Sequence, residues 1–349
     1  MTNLCNEKDN KIKGKKAQVH CVIIGVSYYF NRKKKKIFDS KGHQKNVINI
    51  NPYLKDAPNI VVKMRRQPIC KVLEMNTGSQ PNDGGNLLLN KSEKEELIKE
   101  NPLSEKWIRP FMGAKEFLNG NKRWCLWLVN AKPEELRECN LVLKRIENVR
   151  RLRLKSKAAS TRKASNIPSL FARIRQPKSK NLIFPETSSE KRKYIPIDFV
   201  NENTIIGNKN QFIPNATLYE FGILESSIHM AWTRAVCGRL GNAYRYSNSI
   251  VYNNFIWPSP TPKQKSKIEN CAQAVLDARK LYPDSTLADL YDPNTMPPEL
   301  VKAHENLDKA VKDAYGNKGF ETEKEIVASL MKLYKEAIDK EKTGGLNDS

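Results

Sequence analysis

The sequence predicts an α+β protein, in which a mixed α/β domain is followed by a small all-α helical module. Three observations carry that prediction. Residues 123–129 (RWCLWLV) and the short runs within 171–199 are β-prone and broken by turn residues. Leu224, Ile228, Ala231, Trp232 and Ala235 recur at the spacing of one helical face, inside a helix expected over 218–236. Beyond Thr261 the pattern becomes helical throughout, in three amphipathic stretches behind recognisable caps.

In chain order, residues 1–16 are polar and expected to lack fixed structure. Residues 17–26 (AQVHCVIIGV) read as a buried strand, and YYFNRKKKKIFD as a turn or edge leading into a second short strand. Residues 51–91 read as a linker, with Asn51-Pro52-Tyr53-Leu54 a turn and GSQPNDGG a loop. The α/β domain is expected over 92–260. It opens with a helix at 92–99 whose capping box pairs Ser92 with Glu95, then a short helix or turn at 107–117. The strand 123–129 follows, and its two tryptophans are three apart, so they cannot share a face. Pro133 starts a long helix with Leu136, Leu143, Ile146 and Val149 broadly on one face. Gly238 is expected to stop the helix at 218–236, and 244–257 is aromatic and β-prone. The helical module, 261–343, is expected as helices at 262–281, 298–315 and 323–340, the last behind the capping box Thr322/Glu325.

Charge is the strongest global signal. The chain carries +23 overall. Residues 1–262 hold 47 Lys and Arg against 22 Asp and Glu, or +25, while 263–349 hold 14 against 16, or −2. Within 141–193 there are 16 basic and three acidic residues, the electrostatic footprint of a polyanion binder. At 39% apolar residues the chain can bury real cores, yet no apolar run approaches the ~18 residues that span a bilayer. A membrane role is therefore not expected. Seven dispersed cysteines without a CxxC pair suit a reducing cytoplasm, the expected location, and argue against a zinc site. His20, His43, His229 and His304 are too isolated for a metal site or a nucleophile–base pair, so no metal and no catalytic residue is expected.

The candidate contact residues follow from residue chemistry. Arginine can read guanine bidentately, asparagine can read adenine, and aromatics pack on bases and sugars. Arg234, Arg239, Tyr244, Arg245, Tyr246 and Asn248 combine these types in one short stretch and are the base-reading candidates. Candidates for the phosphate backbone are Arg150, Arg151, Arg153, Lys155, Lys157, Arg162, Lys163, Arg173, Arg175, Arg192 and Lys193.

The strings IPNATLYEFGILESSIHMAWTRAVCGRL and YRYSNSIVYNNFIWP resemble the target-recognition region of MmeI-like DNA adenine methyltransferases. The resemblance continues in NINPYLKDAPN, WIRPFMGAKEFL, RWCLWLV and LADLYDPNTMPPELVKAHENLDKAV, and so covers nearly the whole chain after about residue 17. It implies that residues 1–50 end with the closing strands of a truncated methyltransferase domain, that 92–260 recognise double-stranded DNA, and that a helical module follows. It also implies S-adenosylmethionine for a catalytic domain, which needs a glycine-rich cofactor turn and an (N/D/S)-P-P-(Y/F) loop to hold a flipped base. Asn51-Pro52-Tyr53-Leu54 lacks the second proline, and no strand leads into a helix around Gly78, Gly84 and Gly85. The expectation is thus a recognition half with no cofactor site of its own, needing a separate catalytic half, or else an inactive remnant. A stand-alone basic RNA-binding accessory protein is the alternative that charge alone leaves open.

Overall fold

A computed structural model describes residues 23–25, 35–39, 41–317 and 319–344. The strand expected at 17–26 falls outside the described residues except for 23–25, which carry no regular structure. The next strand is present: β1 (Lys35–Phe38) and β2 (Gln44–Val47) form an antiparallel hairpin in the register Lys35↔Val47. An extended stretch follows, broken only by β3 (Asn76–Thr77) and β4 (Leu88–Leu89). In it Asn51 folds its own turn, Oδ1 accepting from the amides of Tyr53 and Lys55 at 3.0 Å each.

Helix α1 (Lys91–Glu100) starts one residue before the expected position because Asn90, not Ser92, is its cap. Asn90 Oδ1 accepts from the Glu93 amide at 2.9 Å while Glu93 accepts from the Asn90 amide at 2.8 Å. A 3-10 turn at Pro102–Trp107 leads into β5 (Ile108–Met112), so the first part of the expected helix or turn at 107–117 is a strand and only its end is helical, in α2 (Ala114–Asn119). The strand tolerates Pro110 because its pairing to β10 (Ile205–Ile206, below) begins only at Phe111. Next come β6 (Trp124–Leu126), α3 (Pro133–Arg137) and α4 (Asn140–Leu154). The long helix expected after Pro133 is thus broken at Cys139, whose φ −115°, ψ 88° is not helical. The break resets the buried face to Val142, Val149 and Arg153, and leaves Leu143 exposed.

After α5 (Ala159–Lys163) the chain builds β7 (Asn181–Pro185), β8 (Thr187–Ser188), β9 (Asp198–Val200), β10 (Ile205–Ile206) and β11 (Asn210–Pro214). One four-stranded sheet has the order β10-β5-β6-β4 and a second the order β3-β11-β7-β9. The first encloses Leu87, Leu126, Val142 and Phe171 in its own core. The second lies against the largest core.

That core is built on α6 (Leu218–Leu224) and α7 (Ser227–Val236). The single helix expected over 218–236 is interrupted because Ser226 turns extended and caps a new helix, its hydroxyl accepting from the His229 amide at 3.3 Å. His229 and Thr233, which lie off the Leu224–Ala235 stripe, are both fully buried, and His229 packs against the rings of Phe184, Tyr246 and Phe255. The helix ends at Cys237, in an extended conformation, and Gly238 begins β12 (Gly238–Leu240), which pairs with β13 (Ala243–Arg245). Gly238 therefore opens a hairpin instead of forming a left-handed cap. The β-prone reading of 244–257 holds only for its first residues, because a π-helical turn occupies Asn248–Tyr252.

The helical module contains α8 (Pro262–Lys280), α9 (Leu287–Leu290), α10 (Pro298–Ala314) and α11 (Glu323–Gly344). Thr261 with Gln264, and Thr322 with Glu325, form reciprocal caps. The module shares one core with α6 and α7, including Phe221, Trp232, Ile268, Leu307, Leu330 and Tyr334. Gly222 marks the closest crossing: a Cβ there would lie 2.7 Å from Ile268 Cγ2, so any side chain would push α6 off α8. Each large apolar side chain buried across this junction contributes about 1.5–3 kcal/mol. No helix among the described residues is long and apolar enough to cross a membrane.

Candidate nucleic-acid interface

The hairpin β12–β13 carries the most exposed of the base-reading candidates. Gly241, with φ 58°, supplies the left-handed position of a two-residue turn and fixes the register Arg239↔Tyr244 and Gly238↔Arg245. Directly opposed residues share a face, so Arg239 and Tyr244 point one way and Arg245, Leu240 and Ala243 the other. Arg239 lies 4.0 Å over the Tyr244 ring and 3.7 Å from Glu190. Arg245 has a side chain 60% exposed, and its Nε lies 3.3 Å from Glu186 Oε1. This bond uses Nε and leaves the two terminal nitrogens available for a bidentate contact. Lys209 approaches the same carboxylate at 3.4 Å.

Glu186 and Lys209 were not singled out from the sequence. Glu186 is held from both sides through its backbone, donating to the Lys209 carbonyl at 2.9 Å and accepting from the Tyr246 amide at 2.7 Å. The available signal was its isolation, as one of only three acidic residues within 141–193.

Four of the six base-reading candidates have other employment. Tyr244 and Tyr246 are buried, 3% and 1% exposed, and pack beneath the hairpin. Arg234 donates to the Lys193 carbonyl at 2.9 Å and to Glu323 at 3.2 Å, tying α7 to α11. Asn248 donates to the Met75 carbonyl at 2.8 Å and accepts from the Ser249 amide at 2.8 Å. These four position the surface, because their polar atoms are spent or enclosed, and correct the reading that all six face outward.

His229 anchors the hairpin's exit. Its Nδ1 lies 3.0 Å from the Leu224 carbonyl and so carries the proton, while Nε2 accepts from the Tyr246 hydroxyl at 3.1 Å. Burial pushes the ring's pKa down to about 3. Because this folded value lies below the unfolded 6.5, the stabilisation is complete above pH 6.5 and is lost as pH falls toward 3, at roughly 1.4 kcal/mol per pH unit. Urea unfolding of the wild type and His229→Gln between pH 7 and 5 is expected to show a steeper acid loss in the wild type by about that slope. Parallel curves would mean that the folded ring accepts a proton.

Among the phosphate candidates, Arg150, Lys155, Lys157, Lys163, Arg173, Arg175 and Lys193 are exposed. Arg151 is exposed but paired with Glu147 at 3.0 Å, one turn back on α4. Arg162 donates to the carbonyls of Ser156 and Lys157 at 2.9 and 2.8 Å, closing the loop it sits on. Arg192 is half-buried beside Ser188. Arg153 is fully buried, with its guanidinium surrounded by backbone carbonyls, and cannot meet a phosphate. Its place in a run of exposed cations concealed an inward position.

A Cβ at Gly78 would lie 2.4 Å from the Gly207 carbonyl oxygen, so this glycine serves close strand contact and not a ligand. Asp83, in the same loop, accepts from the Leu87 amide at 2.6 Å. Among the described residues no three His, Cys, Asp or Glu side chains gather as metal ligands.

Comparison with known proteins is consistent along the chain. Residues 56–259 match the family model for the MmeI target recognition domain, and residues 260–340 that for the MmeI C-terminal domain. DNA methyltransferase A of Bacillus subtilis (strain 168) is 38% identical over 324 residues, 93% of this chain but 37% of that protein. The structure of the Type IIL restriction-modification enzyme MmeI in complex with DNA superposes with a TM-score of 0.84 at 45% identity, covering 88% of this chain and 42% of that one. The chain thus spans about two fifths of the length of these relatives. With one family model matching more than half of its residues, the chain belongs to the MmeI family and carries that family's target recognition and C-terminal domains.

Proposed function

We propose that this chain is the sequence-reading half of a site-specific DNA adenine-N6 methyltransferase of a restriction-modification system. In this reading it grips double-stranded DNA, presents Arg245 to base edges, and neutralises phosphates with Arg150, Lys155, Lys157, Lys163, Arg173 and Arg175. Methyl transfer from S-adenosylmethionine belongs to a separate catalytic half, and the chain alone is expected not to methylate. The observation that carries the reading is the geometry of Arg245, held at Nε by Glu186 on a hairpin whose second strand also pairs with β8, with the terminal nitrogens left for guanine. The solved relative bound to DNA and the basic excess of 141–193 support the same partner.

The test is a binding selection against a random duplex library at near-physiological salt. Enrichment of one short asymmetric motif is expected, and enrichment of none would overturn the reading. Arg245→Ala is expected to relax preference at one or two base positions by roughly 10- to 100-fold while general affinity changes less. An equal loss on every sequence would make Arg245 a phosphate contact.

A further inference from the structure

We infer that the extended strap at residues 61–71 is a second DNA-contacting element, which grips phosphates beside the hairpin through Lys63, Arg66 and Lys71. The inference rests on the reading of the chain as a duplex binder. Residues 57–73 contain four basic side chains and no acidic one, outside the basic segment singled out from the sequence. Arg65 is taken up by an ion pair with Glu341. Lys63, Arg66 and Lys71 are exposed, and no ion pair engages them among the described residues. Unpaired cations on one strand repel each other, and a polyanion relieves that repulsion.

The strap lacks regular secondary structure, yet its backbone is fixed. The Arg65 amide donates to the Ser249 carbonyl at 2.9 Å and the Ile69 amide to the Asn253 carbonyl at 2.8 Å. Asn253 and Asn254 return bonds from their side-chain amides to the carbonyls of Arg65 and Lys63, at 2.9 and 3.0 Å. Val62 turns into the core, 6% exposed, whereas Val61 is 54% and Met64 76% exposed, with Lys63 exposed between Val62 and Met64. Outward cations held on an ordered backbone need little further ordering on binding, which favours contact. Position matters as well. Ser249, whose carbonyl holds Arg65, is four residues from Arg245, so at 3.8 Å per residue their Cα atoms are at most about 15 Å apart, and the middle of the strap lies one hydrogen bond farther.

Lys63→Gln, Arg66→Gln and Lys71→Gln combined are expected to reduce the slope of log affinity against log salt by about 2 to 3, near 0.9 for each lost phosphate contact, without altering the selected motif. A photoreactive residue in place of Met64 is expected to crosslink to duplex DNA, and decides the matter if the triple variant folds poorly. An unchanged slope, or no crosslink from a chain that binds duplex, overturns the strap assignment. A chain that selects a motif while the triple variant keeps the full slope refutes the strap alone. A chain that selects no motif, but loses slope in the variant, refutes sequence reading and leaves the strap standing. Absence of duplex binding refutes both.

Discussion

Arg153→Met is expected to cost about 4 kcal/mol of unfolding free energy and to open the basic loop that follows α4. Arg153 spends every guanidinium donor on backbone carbonyls: Nε on Asn82 at 3.0 Å, Nη1 on Ala164 at 2.9 Å and Ile167 at 3.1 Å, and Nη2 on Pro81 and Leu170 at 2.7 Å each. The acceptors come from two stretches of chain, 81–82 and 164–170, that share no other regular structure. Methionine keeps the apolar stem but removes five donors: the carbonyls of Asn82 and Leu170 lose the donor they have, while those of Pro81, Ala164 and Ile167 keep one backbone amide each, from Ala172, Ile167 and Leu170. Hydrogen bonds to a charged group contribute about 1.5–3 kcal/mol each, and entering water recovers part of the loss, so the sum falls well short of five full bonds. Lysine has three donors and no fork, so Arg153→Lys should recover only part of the difference. Urea denaturation measures the cost. Trypsin supplies a local readout, because Lys155, Lys157, Arg162 and Lys163 lie on the loop that Arg153 closes. Rapid cleavage there is expected in Arg153→Met but not in the wild type. A cost below about 1 kcal/mol with no new cleavage would show that the loop is held by its own contacts.

The same arginine shows where sequence reading stops. Its neighbours Arg150, Arg151 and Lys155 are exposed, as a charged residue is unless something pairs with it. Arg153 is paired by carbonyls, and carbonyls leave no trace in residue identity. Helix existence was legible for the same reason that burial was: periodicity and caps are local, and the Thr322/Glu325 box was readable from residue types alone. Helix continuity was not. The breaks at Cys139 and at Glu225–Ser226 fall where tertiary contacts reward a change of direction, and the second places His229 in the core against the helical spacing. For the interface, the composition of the arginine and tyrosine stretch pointed to the hairpin. It could not show that Tyr244 and Tyr246 lie under that hairpin, because the alternation of a strand assigns faces only once its register is known. Glu186 was marked only by its isolation in a basic segment, which does not name its partner, and Arg245 lies 59 residues away in the chain.

Removal of Arg279 is the other large effect expected, and it bears on how the recognition surface is held. Arg279 lies near the end of α8 with its side chain 6% exposed. It donates to Glu225 Oε1 at 2.9 Å, to the Ile197 carbonyl at 2.7 Å and to the Tyr291 hydroxyl at 2.9 Å. The Tyr291 hydroxyl in turn lies 2.8 Å from His304 Nε2. Glu225 is fully buried, and burial pushes its carboxyl up to about 7 while the guanidinium pulls it back. Arg279→Met would leave that carboxyl without its counter-ion, with the Ile197 amide still donating to it at 3.2 Å, at an expected cost of about 3–5 kcal/mol. Combining it with Glu225→Gln removes the stranded charge and is expected to restore most of the loss, giving a coupling energy above about 2 kcal/mol in a double-mutant cycle. Additive losses would show that solvent reaches Glu225. The pair spans the boundary near residue 260 between the two matched family segments. Asp308 reinforces it from α10, accepting from the Tyr194 hydroxyl and the Ser227 amide at 2.7 Å each. A shared core and a shared buried ion pair make the two segments one cooperative unit, so calorimetry is expected to show a single transition and two separated transitions would refute the coupling. Through Asp308 and Glu323 the helices fix Tyr194, Lys193 and Arg234, and with them the ground on which the Arg245 hairpin stands.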